Sequence, residues 1–265
     1  MIKLTGIYAY PIKSCAGMSL EVGQLDHYGL VSDRRWLVVD ESGMFQTQRE
    51  LPKMSLIQPK PSDSGLTLNA PGMESVAVPK PSDARIANVT VWRNQCEADD
   101  AGDEVAQWLS DYLKISVRLV AMGKAFQRPV NPDHALNNDE VSFADGYPFL
   151  IISEASLEDL NSRLETPLPM NRFRPNFVVS GTEAFAESDW KTFKIGENIF
   201  HNVKPCARCV VTTVDQSTGE QGKEPLTTLA TFRKTDDGRI LFGENLIHEQ
   251  KEGQLRVGDV VEILT

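Results

Sequence analysis

The sequence predicts a β-rich α+β fold with barrel-like sheets and few helices. Short runs rich in Val, Ile, Thr and aromatic residues recur along the 265 residues, and Gly, Pro, Asn and Asp separate them. Helical periodicity is confined to three segments, which do not alternate with the strands as they would around a parallel sheet. Because 41% of the residues are hydrophobic, the chain can bury the core of one large domain or of two modest ones.

Strand signals dominate the first third of the chain. Residues 36–40 and 44–48 flank Glu41-Ser42-Gly43, which is a hairpin signal. Residues 65–69 and 88–92 alternate in polarity, as short strands do. We expect loops at the prolines around these strands, namely Pro59, Pro61, Pro71, Pro79 and Pro81.

Two helices have clear signals. The apolar residues from Val105 to Leu113 recur on one helical face, and Asp99 or Asp100 is the expected N-cap. A second helix is expected to begin near Ser153, after an apolar strand.

The second half of the chain returns to strands. A short third helix is expected at Pro225, because proline is favoured in the first turn of a helix. The loop at 124–138 is the weakest join, so a domain boundary is expected near 120–135. Strands are predicted at 149–152, 176–179, 192–195, 210–214, 239–242 and 260–264.

Composition excludes several classes of function. The 27 Lys and Arg against 37 Asp and Glu give a net charge of −10, which argues against a general binder of nucleic acid or membrane surfaces. The sequence shows neither a signal peptide nor a run of about twenty apolar residues, the length that a membrane span needs. Four cysteines are too few for a disulfide scaffold. We therefore expect a cytoplasmic protein, and a local cluster of cations wherever it binds an anion.

The segment from Lys204 to Cys209 is the most informative one, because it combines the thiols of Cys206 and Cys209 with the cations of Lys204 and Arg208. Neighbouring cations favour the thiolate, which is the form that binds metals or attacks. Three other interpretations remain open. A zinc site would need further ligands, but there is no second cysteine pair. A thioredoxin-like redox pair would need a helix after it, and two inert buried cysteines are the ordinary alternative.

If Cys209 opens a strand that runs to Val214, its side chain is held more rigidly than that of Cys206 in the preceding loop. Cys209 is therefore the better candidate for a ligand.

Three polar motifs could grip an anionic or heterocyclic ligand. Lys13 and Ser14 follow the turn at Tyr10-Pro11. In Asp33-Arg34-Arg35 one arginine can pair with Asp33 while the other reaches a ligand. The stretch 171–176 brings two arginines and two amides to the start of an apolar strand. Taken alone, each motif is also typical of a solvated loop.

Together with the cysteine segment, these motifs resemble the MOSC-domain proteins that carry an N-terminal β-barrel domain. Within them the chain is similar to the bacterial reductases of N-hydroxylated compounds and to the mitochondrial amidoxime-reducing component. The resemblance spans the whole chain in YPIKSCAG at 10–17, SDRRWLVV at 32–39, SFADGYPFLIISEASLEDLNSRL at 142–164, NRFRPNFVVSG at 171–181, KPCARCVVTTVD at 204–215 and RVGDVVEIL at 256–264.

The resemblance implies an N-terminal β-barrel domain over residues 1–120 and a MOSC β-barrel, similar to the pyruvate-kinase barrel, over 121–265. It also implies a molybdenum cofactor (molybdopterin) whose metal is held by the thiolate of Cys209. Gly146 and Tyr147 stand where mitochondrial members use hydroxyl residues. The cofactor-binding positions that it implies are Lys13, Ser14, Arg34, Gly146, Tyr147, Arg174, Asn176, Arg208 and Cys209.

The activity implied is the reduction of small N-hydroxylated compounds such as hydroxylamines, amidoximes and N-hydroxylated bases. No cysteine cluster for an iron–sulfur centre follows the last predicted strand. Electrons are therefore expected from a separate ferredoxin-like or flavoprotein donor. The alternative is a cofactor-binding or sulfur-carrier module, as in the molybdenum cofactor sulfurases, in which Cys206 or Cys209 carries a persulfide.

Overall fold

The computed structural model describes residues 1–82 and 84–265, and it confirms the β-rich fold. The strands of the first half are β1 (Ile2–Ala9), β2 (Met18–Leu20), β3 (Val22–Asp26), β4 (Gly29–Leu30), β5 (Trp36–Asp40), β6 (Gln58–Ser62), β7 (Gly65–Asn69), β8 (Val76–Pro79), β9 (Ile86–Val91), β10 (Asn94–Asp100) and β11 (Val117–Ala121). Those of the second half are β12 (Phe149–Ser153), β13 (Phe177–Ser180), β14 (Thr192–Ile195), β15 (Asn198–Ala207), β16 (Leu241–His248), β17 (Gly253–Arg256) and β18 (Val260–Ile263). The α-helices are α1 (Asp103–Leu113), α2 (Glu154–Ser162) and α3 (Leu226–Leu229), and 3₁₀ turns lie at Pro52–Leu56, Met170–Arg172, Ala186–Ser188 and Val210–Thr213.

Seven strands close into a barrel in the order β13, β12, β16, β15, β14, β18 and β1, and β1 pairs with β13 to complete the circle. The first strand thus lies between two strands of the second half, with Ile7 opposite Phe177 and Ile2 opposite Val261. Stacked and edge-on aromatic rings fill the barrel, among them those of Phe149, Phe177 and Phe200. Burial of this apolar interior is the main stabilising contribution to the barrel.

Strands β5 to β11 and helix α1 form a second packing unit. One sheet has the order β5, β11, β10 and β9, another the order β6, β7 and β8, and α1 contributes to the core between them. The helix buries Val105, Trp108 and Leu109 there, which are residues of the predicted apolar face. A small sheet of β17, β3 and β4 packs on the barrel, because Leu25, Leu30 and Leu255 belong to the barrel core. The division of the chain at residue 120 remains a prediction.

The strand predicted at 210–214 is wrong, because this stretch is the 3₁₀ turn Val210–Thr213. The Thr212 and Thr213 hydroxyls donate to the carbonyls of Cys209 and Val210 at 3.0 and 2.8 Å. Such local bonds compete with a sheet ladder and favour a turn. The strand that serves the site is instead β15, which sequence reasoning missed and which ends at Ala207. Cys206 is therefore a strand residue, not a loop residue as predicted.

Four smaller predictions also need correction. Three of the prolines expected in loops lie in edge strands, Pro59 and Pro61 in β6 and Pro79 in β8, where a proline need not donate a ladder hydrogen bond. Residues 44–48 form only isolated bridges, and β9 ends before Trp92. The N-cap of α1 is Gly102, because Asp100 instead accepts hydrogen bonds from Arg85 and Arg118.

The other predicted elements are confirmed. The Ser153 hydroxyl accepts the Ser156 N–H at the start of α2, and α3 begins directly after Pro225. Within the described residues, no helix combines the length and the apolar character needed to cross a bilayer.

Candidate active site

A cavity of about 140 Å³ lies between the two packing units. It collects every residue predicted to contact a cofactor, although those residues are far apart in the sequence. Their roles remain predictions, but their convergence on one cavity is a structural fact. The predicted residues that line the cavity are Lys13, Ser14, Arg34, Gly146, Tyr147, Arg174, Asn176, Arg208 and Cys209.

The cavity is strongly cationic in a chain whose net charge is −10. Among the described residues, its charged lining consists of one carboxylate, that of Asp145, and five cations, namely Lys13, Arg34, Arg49, Arg174 and Arg208. Because the walls are of low dielectric, this clustering focuses a positive potential into the cavity. The cavity is therefore suited to an anionic ligand.

Lys13 and Asp145 form an ion pair in the lining of the cavity. The Lys13 ammonium donates to Asp145 Oδ1 at 2.5 Å and to the Phe143 carbonyl at 2.9 Å. Burial lowers the pKa of Lys13 to about 8, although the charge of Asp145 opposes that shift. Desolvation raises the pKa of Asp145, but the charge and hydrogen bond of Lys13 outweigh it, and the pKa lies below its usual value.

Arg34 is a fully engaged cation. Its Nη1 donates to both carboxylate oxygens of Asp33, at 2.9 and 2.7 Å, and to the Asn176 amide oxygen at 3.1 Å. Its guanidinium carbon lies 4.3 Å from the ring centre of Tyr10. The sequence predicted that one arginine of this motif pairs with Asp33 while the other reaches a ligand. Arg34 pairs with Asp33 and also lines the cavity, whereas Arg35 pairs with Asp26.

Arg174 is buried but only partly engaged. Its Nη1 donates to the Gln216 amide oxygen at 3.3 Å, and its guanidinium carbon lies 4.2 Å from the Tyr10 ring centre. Within the described part of the chain, its Nη2 is buried without a hydrogen-bond partner. Burial lowers the pKa of Arg174 to about 10, so it stays charged at neutral pH. A buried cation with a free donor is complementary to an anion in the cavity.

Backbone strain also concentrates at this cavity. Ser14, Arg34 and Arg174 have positive φ angles of 66°, 48° and 54°, which residues other than glycine rarely adopt. Such strain persists where the surrounding structure imposes it, commonly at functional sites. Here it lets each side chain reach the cavity from the end of a strand or turn.

The two thiols of the cysteine segment both face the cavity, and different arginines contact them. Arg208 Nη1 donates to Cys206 Sγ at 3.0 Å, and Arg208 Nη2 donates to the Phe173 carbonyl at 2.5 Å. Arg49 Nη2 donates to Cys209 Sγ at 3.3 Å. The cation beside Cys209 thus comes from the other packing unit, not from Lys204 or Arg208 as the sequence suggested. Burial raises the pKa of Cys206, while the charge of Arg208 opposes this shift.

The lining is open where the resemblance places two hydroxyl residues. A side chain added at Gly146 would meet no atom within 4 Å. Tyr147 points its ring toward His134, with the ring centres 5.9 Å apart. This end of the cavity therefore has space that neither residue fills.

Sequence reasoning missed Arg49 and Asp145, which line the cavity, and Trp92, which contacts both of them. Asp145 lies within a stretch that carries the family resemblance and could have been singled out there. Arg49 and Trp92 had no local signal.

The chemistry of the lining fits a group that combines an anionic phosphate with a soft metal. Arg174 Nη2 and Arg208 Nε are buried donors without partners in residues 1–82 and 84–265. The thiol of Cys209 supplies a soft ligand at the same cavity. In the same residues, no three His, Cys, Asp or Glu side chains form a metal-binding cluster.

The fold and this site define a protein of the MOSC class. Two family models match the chain, the MOSC N-terminal beta barrel domain over residues 1–116 and the MOSC domain over residues 138–262. The cavity takes residues from both matched ranges, with Lys13 and Arg49 in the first and Arg174 and Cys209 in the second.

Comparison with known proteins narrows the class. The chain is 40% identical to mitochondrial amidoxime reducing component 2 of Rattus norvegicus, over 96% of this chain and 81% of that protein. It is 38% identical to mitochondrial amidoxime-reducing component 1 of Mus musculus, over 97% and 81%. It is 35% identical to mitochondrial amidoxime-reducing component 1 of Homo sapiens, over 97% and 82%. The chain therefore belongs to the family of MOSC-domain proteins that includes the mitochondrial amidoxime-reducing components.

Proposed function

We propose that this protein is a molybdenum-cofactor-dependent oxidoreductase that reduces small N-hydroxylated compounds. One observation carries the proposal: the thiol of Cys209 shares a cavity with five cationic side chains, one of which, Arg174, has a buried donor without a partner among the described residues. The names of the relatives, which describe amidoxime reduction, support the substrate class.

Each part of the cavity has a role in this proposal. Arg174, Arg208 and Lys13 hold the anionic phosphate of the pterin, and Cys209 is the protein ligand of the metal. A molybdenum cofactor bound there would supply the two-electron redox chemistry that the reduction of an N–OH group needs. Ser14 and Asn176 border the same cavity, and Asn176 is held in place because its amide bonds Arg34, the Leu150 N–H and the Tyr8 carbonyl.

The overall reaction takes two electrons and two protons, and it converts R–NH–OH into R–NH₂ and water. The buried ammonium of Lys13, whose pKa is about 8, holds a proton at Nζ at neutral pH. The buried arginines remain charged and keep the cavity electrostatically fixed during turnover. We propose a separate electron-donor protein. The relatives are named as mitochondrial, and a cytoplasmic location for this chain stays a prediction.

Metal analysis beside an activity assay tests the proposal. We expect the wild type, made in a host that synthesises the cofactor, to contain molybdenum and pterin and to reduce an amidoxime with a chemical electron donor. Cys209→Ala should lose this reduction, because the metal loses its protein thiolate. Well-folded wild type without molybdenum, or undiminished reduction by Cys209→Ala, would contradict the proposal.

A second candidate function rests on Cys206, whose half-buried thiol faces the same cavity and accepts a hydrogen bond from Arg208 at 3.0 Å. That arrangement suits a sulfur carrier in which Cys206 bears a persulfide. Cys206→Ala separates the two functions: reduction that survives the change supports the reductase, whereas loss of protein-bound persulfide with no reductase activity in the wild type supports the carrier.

A further inference from the structure

Asp145 presents half of its carboxylate to the cavity without using it. Both of its hydrogen bonds end at Oδ1, which accepts from Lys13 Nζ at 2.5 Å and from Trp92 Nε1 at 3.1 Å. Oδ2 accepts no hydrogen bond from any residue that the structure describes. The side chain is 65% exposed, although Asp145 lines the cavity. The carboxylate is therefore fixed in orientation while one oxygen remains available to a ligand.

Trp92 stands beside this free oxygen in an unusual conformation. It occupies the tight turn between β9 and β10 with a φ of 58°, which is unfavourable for a bulky residue. It is 45% exposed, whereas Trp36, Trp108 and Trp190 are each at most 9% exposed. A large aromatic ring held exposed at a strained turn indicates a role in binding.

Neighbouring side chains hold the indole in place. The guanidinium carbon of Arg49 lies 4.6 Å from its ring, and the same guanidinium donates to Cys209 Sγ. The Phe45 ring centre lies 5.1 Å away. Trp92 is thus linked through one side chain to the thiol that we propose as metal ligand, and through a hydrogen bond to Asp145. Both contacts place Trp92 directly beside two residues of the cavity lining, Arg49 and Asp145.

We propose that Asp145 and Trp92 form the substrate-binding corner of the site and select planar N-hydroxylated compounds that carry an N–H donor next to the N–OH group. Amidoximes and N-hydroxyguanidines have this pattern. Asp145 Oδ2 accepts the amino hydrogen, and the exposed indole packs against the conjugated plane. This inference rests on the proposed function and deepens it, because it names what distinguishes good from poor substrates.

A matched pair of substrates tests the role of Asp145. Benzamidoxime has the amino hydrogens, and its N,N-dimethyl counterpart lacks them. Asp145→Asn keeps an oxygen for Lys13 and replaces the free oxygen by an NH₂ donor. In the molybdenum-loaded enzyme we expect kcat/KM for benzamidoxime to fall at least about tenfold, mainly through KM, as loss of a charged hydrogen bond predicts. The value for the dimethyl compound should change less than about twofold. Equal changes for both substrates would overturn the inference.

Two further variants separate the effects of the Asp145 carboxylate and the Trp92 ring from the effect of removing any surface charge. Asp111→Asn, on the exposed side of α1, should leave both substrates unaffected. Trp92→Leu retains the Asp145 charge, and we expect it to raise KM for benzamidoxime about three- to tenfold, as loss of an aromatic contact predicts. An unchanged KM for Trp92→Leu would overturn the part assigned to the ring.

Binding of the product-like compound benzamidine gives a readout that does not require turnover. Because Trp92 is the exposed tryptophan of the four, benzamidine should change the protein's fluorescence, and Trp92→Phe should abolish that response. Asp145→Asn should weaken binding at least about tenfold. Equal affinity in wild type and Asp145→Asn would overturn the inference. Absence of amidoxime reduction in the wild type would instead count against the proposed function. Benzamidine binding would still test whether Asp145 and Trp92 form a binding site for the amidine group.

Discussion

Arg34 and Arg174 both line the cavity and make opposite use of the same chemistry. The side around Arg34 is closed, because Asp33 and Asn176 occupy Nη1 and the Arg174 carbonyl accepts from Nη2. The side around Arg174 is open, because one guanidinium nitrogen is buried without a partner among the described residues. Both guanidinium groups lie within 4.3 Å of the Tyr10 ring centre.

This difference indicates which buried arginine stabilises the fold and which is available to a ligand. Burying a charge costs free energy unless it is paired and hydrogen-bonded, and the pairing of Arg34 offsets that cost within the protein itself. Arg174 leaves part of the cost uncompensated, so a bound anion would relieve it. We expect changes on the closed side to lower stability and changes on the open side to lower ligand retention.

The largest effect is expected from breaking the closed side. Asp33 is 2% exposed, and its carboxylate accepts from Arg34 and from the Tyr10 N–H at 2.9 Å. Asp33→Ala leaves Arg34 buried and unpaired, so the free energy of unfolding should fall by about 3–5 kcal/mol in urea titrations. Asp237→Ala removes an exposed ion pair with Arg239 and should leave the free energy of unfolding nearly unchanged. Similar losses of unfolding free energy in Asp33→Ala and Asp237→Ala would show that the buried pair of Asp33 and Arg34 contributes no more to stability than an exposed pair.

The next effect concerns Glu244, which lies in β16 opposite Pro205 and next to the cysteine segment. Glu244 is 1% exposed, its Oε2 has no partner in the described chain, and burial raises its pKa to about 7. A raised folded-state pKa means that the contribution to stability is complete below about pH 4.5 and is lost as the pH rises through 7. Glu244→Gln should therefore exceed the wild type in stability at pH 8 by about 2–3 kcal/mol.

Urea unfolding of wild type and Glu244→Gln at pH 5 and pH 8 measures this effect. The difference between the two proteins should grow with pH, since glutamine does not titrate. Parallel pH profiles would show that Glu244 ionises normally in the folded protein.

A smaller effect on folding is expected from the open side. Arg174→Met replaces a buried, partly unsatisfied cation by an apolar side chain of similar length, so the free energy of unfolding should change by less than about 1 kcal/mol. Molybdenum content after expression in a cofactor-producing host should nevertheless fall at least about tenfold, because a charged donor to the phosphate is lost. A stability loss as large as that of Asp33→Ala would remove the distinction between the two arginines.

The smallest effect is expected at Gly146, where an added side chain meets open space. Gly146→Ser should alter the free energy of unfolding by less than about 0.5 kcal/mol, and its hydroxyl should raise cofactor retention about two- to fivefold. Gly43→Ser is the matched control, because a side chain there meets the Asn88 carbonyl and φ is 80°. Only the control should lose stability, and lower retention in Gly146→Ser would show that this end of the cavity is not a ligand contact.

The sequence predicted the cavity-lining cations Lys13, Arg34 and Arg174 because each lies in a short polar motif beside a strand or turn. The family resemblance then assigned these motifs to one site. Cys209 lines the cavity, but the strand expected after it is a 3₁₀ turn, and its role as a metal ligand stays a prediction. There, bonds between threonine hydroxyls and nearby carbonyls override the β propensity of the branched residues.

The contacts of Arg49, Trp92 and Asp145 could not be predicted from the sequence. Arg49 reaches Cys209 across 160 positions, and Trp92 reaches Asp145 across 53. Such contacts depend on how two packing units meet, which no local periodicity encodes. The position of β1 in the barrel could not be predicted for the same reason, because its partner strands β13 and β18 lie far from it in the sequence.

That position of β1 has a consequence for folding. The second edge of β1 is covered only when β18, which lies far from it in the sequence, pairs with it. Contacts between residues so distant in sequence form slowly, since a long loop must close first. Closure of the barrel is therefore expected to be a late step of folding. Until β18 pairs, β1 presents an uncovered strand edge, which is a site for aggregation or for chaperone binding.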